Sequence, residues 1–282
     1  MKIENVSDTA RWVAVYRAME TDRPDAHFRD PYARRLAGEH GEEIVKNMKR
    51  GRQMAWAMIT RTQVFDEIIL KAVRDGADTV LNLACGLDAR AWRLDVPPTL
   101  RWVDVDLPGI LNHKTEMLKG EPTRCRYEPV AADLREAPVR RALFERIARE
   151  SKKVIVVTEG LLIYLTDADV AGLADDLHAA ASFRWWLIDL ASPLLLKMMK
   201  RMWGKKTSHA NAPFLFAPES GTGFFAPHGW RELEFHSSMD EAERLKRQMP
   251  GAGFWRFLSW LYPKKKIEQY RRMSAFVLLE RS

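Results

Sequence analysis

The chain is poor in cysteine, lacks the glycine loop that cradles a pyrophosphate, and holds no long unbroken apolar run. Cys85 and Cys125 are its only two cysteines, too few for a disulfide framework or a structural zinc site. No His/Cys cluster at ligand spacing accompanies them, so no metal is expected and a reducing, cytoplasmic setting fits. The longest candidate span, Phe183 to Trp203, is interrupted by Arg184, Asp189, Lys197, Lys200 and Arg201. Each of these is costly in hydrocarbon, so no transmembrane segment is expected. The opening MKIENVSDTARW carries acids where a secretory signal needs an apolar core.

What is present suits one large globular domain: 282 residues, 46% of them hydrophobic, enough to bury a sizeable core. The formal net charge of +7 comes largely from the C-terminal half. Lys197, Lys200, Arg201, Lys205 and Lys206 form one basic stretch, and Lys264 to Lys266 with Arg271 and Arg272 form another. No nucleic-acid-binding motif accompanies this charge, so nucleic acid is not an expected partner. A solvated basic face is one reading; peripheral contact of Leu194 to Lys206 with an anionic membrane is the other.

Periodicity predicts an N-terminal pair of helices over residues 7 to 50, with Asp8 as a cap, then a long amphipathic helix from Gln53 to Arg74. Strand and helix then alternate, with strands at 79–84, 100–105, 126–130, 154–158 and 185–190 and a helix beginning near Asp88. Two last strands follow at 231–237 and 274–280. This pattern predicts an α/β fold, a Rossmann-like doubly wound and mostly parallel sheet of about seven strands. A helical N-terminal cover over residues 1–52 precedes a main domain over 53–282. That domain carries insertions at about 192–229 and 239–272, the first of them a lid whose Phe214, Phe216, Phe224, Phe225, His228 and Trp230 are candidates to line a pocket.

The most informative segments are TVLNLACGLDARAWRL, starting at Thr79, and LRWVDVDLP, starting at Leu100. A strand ending at a glycine lets backbone pass close beneath a ligand, and an acid ending the next strand can hold ribose hydroxyls. Gly86 is separated from Asp104 and Asp106 by roughly the 20 residues expected of a nucleoside-binding unit. A dinucleotide would need a G-x-G-x-x-G loop, whereas this turn holds only Gly86. S-adenosyl-L-methionine, which carries no phosphate, is therefore the expected cofactor.

NLACGLDARAWRL, WVDVDLPGILNHK, AADLR and VTEGLLIYL, together with the upstream TARWVAVYRAME and FRDPYARRLAG, resemble the leucine carboxyl methyltransferase-like family. This is a branch of the class I S-adenosylmethionine-dependent methyltransferases, and the resemblance is to its bacterial members across nearly the whole chain. It implies that Arg61 reaches the methionine carboxylate of the cofactor, a bidentate task suited to guanidinium. Where the family commonly has Gly-Ala-Gly, this chain has Ala84-Cys85-Gly86, so Ala84 brings a side chain to the turn against the methionine portion.

Asp106 aligns with the aspartate of the family's ribose-binding segment. Asp104 lies two residues earlier on the same side of the strand, and the two could exchange roles. Asp133 and the Leu134 N–H fall where the fold places the adenine, with helix capping the other reading of Asp133. Glu159, at the end of the fourth strand, is a cofactor-binding carboxylate or a general base, and Tyr164 is a candidate to orient the acceptor or a packed core residue. The expected activity is methyl transfer to a carboxylate or hydroxyl of a small molecule. A protein C-terminal carboxylate as acceptor and a noncatalytic binding protein on the same fold are the alternatives.

Overall fold

Runs of β-branched and aliphatic residues alternate with amphipathic stretches through most of the chain, and each becomes an element of a covered sheet. The computed structural model describes residues 6–48, 51–208, 213–249, 251 and 263–282. Helices α1 (Val6–Thr21), α2 (Ala33–Asn47) and α3 (Ala55–Arg74) come first. They are followed by β1 (Thr79–Leu83), α4 (Arg90–Arg93), β2 (Arg101–Asp106), α5 (Pro108–Met117), β3 (Arg126–Ala131) and α6 (Ala137–Glu150). Next come β4 (Val154–Thr158), α7 (Asp167–Ala179), β5 (Phe183–Ala191) and α8 (Pro193–Ser208). The chain ends through β6 (Trp230–Ser237), α9 (Ser238–Arg244), α10 (Lys264–Arg271) and β7 (Ser274–Arg281).

Local chemistry explains several boundaries. Thr166 caps α7 in a reciprocal arrangement: its hydroxyl accepts from the Asp169 N–H at 3.2 Å, while the Asp169 carboxylate accepts from the Thr166 N–H at 3.1 Å. Proline stands in the first turn of α5 and of α6, where its missing N–H costs nothing. The helix expected to begin near Asp88 is a single turn, Arg90–Arg93. It stops short because Pro97 and Pro98 follow closely and both its arginines point inward to acids.

The sheet has seven strands in the order β3-β2-β1-β4-β5-β7-β6. Neighbours from β3 through β5 are parallel, and β7 runs antiparallel between β5 and β6. All five residues of β1 and of β4 are buried, as strands covered on both faces must be. Side chains alternate between two apolar layers. Val80, Trp102, Ile155, Leu187 and Phe276 meet α1, α2 and α3 on one face; Leu81, Val103, Val156, Trp186 and Val277 meet α6 and α7 on the other.

Strand order reverses between β1 and β4, so a crevice opens beyond the carboxyl ends of the central strands. One expectation about its cover needs correction. Phe216, Phe225 and Trp230 do not line this crevice: they are buried, with Phe225 and Trp230 edge-on to Trp186 at 5.3 and 5.6 Å, because bulky rings gain most by closing the second apolar layer. His228 turns away to Asp175 at 2.7 Å, leaving Phe214 as the one residue of that set lining the cavity. Leu195, Met198 and Met199 of α8 line the same cavity.

The cap by Asp8, the ring of Trp203, the ammonium groups of Lys205, Lys206 and Lys264 to Lys266, and Gly253 lie outside the described residues or side chains. No helix among the described residues is long and apolar enough to cross a membrane.

Candidate functional site

Each of the parallel strands β1 to β5 delivers one polar element to the carboxyl edge, and these elements face a single cavity of about 1940 Å3. The turn after β1 is tight: Ala84 and Gly86 both have left-handed backbone, with φ of 53° and 52°. A Cβ on Gly86 would stand 3.1 Å from the Ala10 side chain of α1. Glycine therefore lets α1 lie directly over the turn, while Ala84 occupies a conformation that its own Cβ disfavours.

Asp106, the last residue of β2, ties this turn to the next strand. Its Oδ2 accepts from the Gly86 N–H at 2.7 Å and its Oδ1 from the Leu107 N–H at 2.7 Å. Burial raises its carboxyl above the ordinary value, and those two N–H groups work against the rise. It lines the cavity and retains lone pairs for further donors.

Asp104 does not reach the cavity, which removes the exchange of roles considered from sequence. It is 1% exposed, with Lys114 Nζ at 2.6 Å, Asn82 Nδ2 at 2.9 Å and Trp102 Nε1 at 3.0 Å. Strand geometry puts both acids on one face, but only Asp106 stands where the sheet ends. Lys114 reaches in from α5 and is wholly buried, so this ion pair is internal.

After β3, Ala132, Asp133 and Leu134 line the cavity. The Asp133 carboxylate accepts from the Arg135 N–H at 3.0 Å and from Arg135 Nη2 at 2.6 Å. The hydrogen bond from the Arg135 side chain is the main reason its carboxyl lies below the ordinary value. The Leu134 carbonyl accepts from Arg140 Nη1 at 2.8 Å, which fixes this loop onto α6.

The centre of the edge is a cluster of arginines and acids. Arg61 projects from α3 and donates from Nε to Glu159 Oε1 at 2.9 Å and from Nη1 to Asp189 Oδ2 at 3.0 Å. Glu159, just beyond β4, also accepts from Arg90 Nη1 at 2.6 Å. Burial would raise its carboxyl, but Arg90 and Arg61 outweigh that and hold it below the ordinary value. Arg90 further reaches Asp66 at 2.6 Å and Asp88 at 2.7 Å. Asp189, near the end of β5, accepts from the Gly160 N–H at 2.7 Å. Gly160 has φ of 69°, and a Cβ there would come within 3.1 Å of Arg61 Nη1.

Tyr164 ends the short 3-10 turn Leu162–Tyr164 and lines the cavity. Its ring sits 5.7 Å from that of Phe214, and burial pushes its phenol up despite nearby Arg61. Sequence reading missed Asp88, Arg90 and Asp189. The first two stand in the LDAR run after Gly86, and Asp189 ends a strand just as Glu159 does, so a search of every strand end for acids would have found it.

These residues fit S-adenosylmethionine as a donor set. Asp106 would take the ribose, Asp133 and Leu134 the adenine, and the turn Ala84–Gly86 the methionine portion. Arg61, whose Nη2 is committed to neither Glu159 nor Asp189, would take the methionine carboxylate. Among the described residues no group of three or more His, Cys, Asp or Glu side chains could hold a metal ion.

The family described as leucine carboxyl methyltransferase matches residues 10–178. A Streptomyces avermitilis protein is 31% identical over 256 residues, covering 85% of this chain and 87% of its own length. A Mycobacterium marinum protein is 34% identical over 63% of this chain, and a Rhodococcus jostii protein 38% identical over 59%. All three carry S-adenosyl-L-methionine-dependent methyltransferase in their names. The matched region spans 64% of the Mycobacterium relative and 59% of the Rhodococcus one, less than two thirds of either. Among solved structures, a Thermobifida fusca chain titled a methyltransferase superposes with a TM-score of 0.62 at 14% identity, over 99% of this chain and 95% of that one. A DUF574 family protein of Streptomyces avermitilis gives 0.59 at 11% identity, over 95% and 97%. At these identities the likeness is one of fold.

Proposed function

The chain belongs to the leucine carboxyl methyltransferase family, and from that premise we propose that it transfers a methyl group from S-adenosylmethionine to a carboxylate of a small molecule. The cofactor, when bound, supplies an electrophilic methyl on a sulfonium. The chain's own residues hold and orient the partners and keep the site dry.

The observation that carries the choice of a carboxylate is that the side chains at the Arg61 edge are committed to other partners. Among the described residues lining the cavity there is no histidine. Glu159 is gripped by two guanidiniums that depress its carboxyl, and Asp189 by Arg61 and the Gly160 N–H. Tyr164 is a phenol held protonated by burial. A hydroxyl acceptor must lose a proton in the reaction; a carboxylate arrives already ionised. Glu159 is accordingly assigned to positioning Arg61 and Arg90, not to proton removal. Tyr164, which lines the cavity, orients the acceptor.

Residues of α1, α8, α9 and α10 line this space. In this reading they form the cover that excludes water, with residues 1–52 and the insertions at 192–229 and 239–272 as its source. Incubation with methyl-labelled cofactor and a mixture of small acids tests the reading. Label in low-mass compounds, released as methanol by mild alkali, is the expected result. Alkali-stable label points to an ether or amine instead, and label retained on protein points to a polypeptide C-terminus.

A further inference from the structure

Resting on the carboxylate reading above, we infer that the acceptor is a long-chain aliphatic acid, its carboxylate beside Tyr164 and its chain among the methionines that line the cavity. Size is the first reason. Small-ligand pockets usually span about 300–1,000 Å3, and the 1940 Å3 here leaves space for a second molecule as large as the cofactor.

The wall is the second reason. Besides the polar groups of the sheet edge, the lining holds thioethers drawn from separate elements. Met54 precedes α3 and Met58 stands in its first turns, Met198 and Met199 come from α8, Met239 from α9, and Met273 precedes β7. With Met48 and Met249, eight of the chain's twelve methionines line this one cavity. Unbranched, polarisable side chains re-pack around a guest of variable shape and give poor purchase to a rigid plane. Of the aromatic segment, Phe225 and Trp230 are committed to the core around Trp186, and Phe214 alone reaches the cavity.

Exposure is the third reason. Met198, Met239, Met249 and Tyr270 are each 41–48% exposed, and all four line the cavity. Exposed apolar side chains gathered on one cavity mark a surface that a ligand covers. Of the two arginines that line it with them, Arg201 and Arg271, the second is paired with Asp240 at 3.1 Å.

The test is calorimetric titration of the full chain, saturated with S-adenosylhomocysteine, by unbranched saturated acids of increasing length, with turnover of the same acids measured using labelled cofactor. Affinity should rise about two- to fourfold per added methylene until the chamber is filled, and kcat/KM should follow. Met198→Glu, at an exposed position that does not threaten folding, should flatten that slope. Affinity independent of chain length, or a rigid polycyclic acid of equal carbon count binding tenfold tighter, overturns this inference while turnover of short acids leaves the carboxylate reading standing. Steep length dependence in binding with no alkali-labile product from any acid overturns the methyl-transfer reading, and with it the assignment of these acids as acceptors.

Discussion

The Glu159 carboxylate meets the Arg61 guanidinium at 2.9 Å, joining the end of β4 to a helix that enters the chain 98 residues earlier. Neither side chain is positioned by its own element alone. Arg90 holds the other Glu159 oxygen at 2.6 Å and Asp189 holds the other side of Arg61 at 3.0 Å. The guanidinium that would receive the cofactor's carboxylate is thus preset by two acids.

Glu159→Gln should lower stability by about 2–4 kcal/mol, because it leaves two largely buried guanidiniums short of a counter-charge. It should also weaken S-adenosylhomocysteine binding. The pH dependence has a definite sign. The folded carboxyl lies below its ordinary value of 4.5, so the stabilisation is fully present above pH 4.5 and drains away as pH falls below it. Urea unfolding of both proteins at pH 7 and in steps below 4.5 checks this: the gap between them should narrow on acidification, and a constant gap contradicts it.

The two acids of β2 should separate cleanly by what they damage. Asp106→Asn should reduce affinity for S-adenosylhomocysteine about ten- to thirtyfold, the worth of a hydrogen bond to a charged group. Asp104→Asn should act mainly on stability, because it removes the partner of Lys114. Calorimetry and thermal unfolding on both variants decide the matter, and equal losses of affinity would return Asp104 to the ribose.

Lys114→Met should cost about 3–5 kcal/mol, since it strands the buried Asp104 carboxylate without its cation. Adding Asp104→Leu to that variant should restore part of the loss, because an apolar pair of similar volume carries no unpaired charge. A double-mutant cycle in urea measures the coupling directly, and additive losses would deny it.

Ala84→Gly should raise stability by about 0.5–1 kcal/mol. Relief of left-handed strain gains about 1–2 kcal/mol, and the greater freedom of glycine in the unfolded chain takes back about 0.5–1 kcal/mol. The midpoint of urea unfolding should move upward with an unchanged slope; a downward shift would mean that the Ala84 methyl makes packing contacts worth more than the strain.

Much of this was legible in the chain. A mostly parallel sheet covered on both faces follows from the alternation of apolar runs and amphipathic helices, and such a sheet has a carboxyl edge, whereas the strand order came from the structure. Gly86, Asp106, Asp133 and Glu159 could be placed there because each closes a strand. Asp88, Arg90 and Asp189 were not singled out, because an acid or arginine in a motif does not announce which partner lies across the fold. The aromatic segment around Phe225 was misplaced for a related reason: apolar character predicts burial but not which of two surfaces does the burying.

By itself the sequence determined the elements, their periodicities and the single-glycine turn, all of which are properties of neighbours along the chain. Only tertiary structure decided that Asp104 answers Lys114 while Asp106 faces the cavity, that Glu159 is a held anion and not a free base, and that methionines from separate regions line one cavity. The physical reason is that charge and cavity shape are set by groups distant in sequence, through desolvation and Coulomb terms that exist only once the chain has closed on itself.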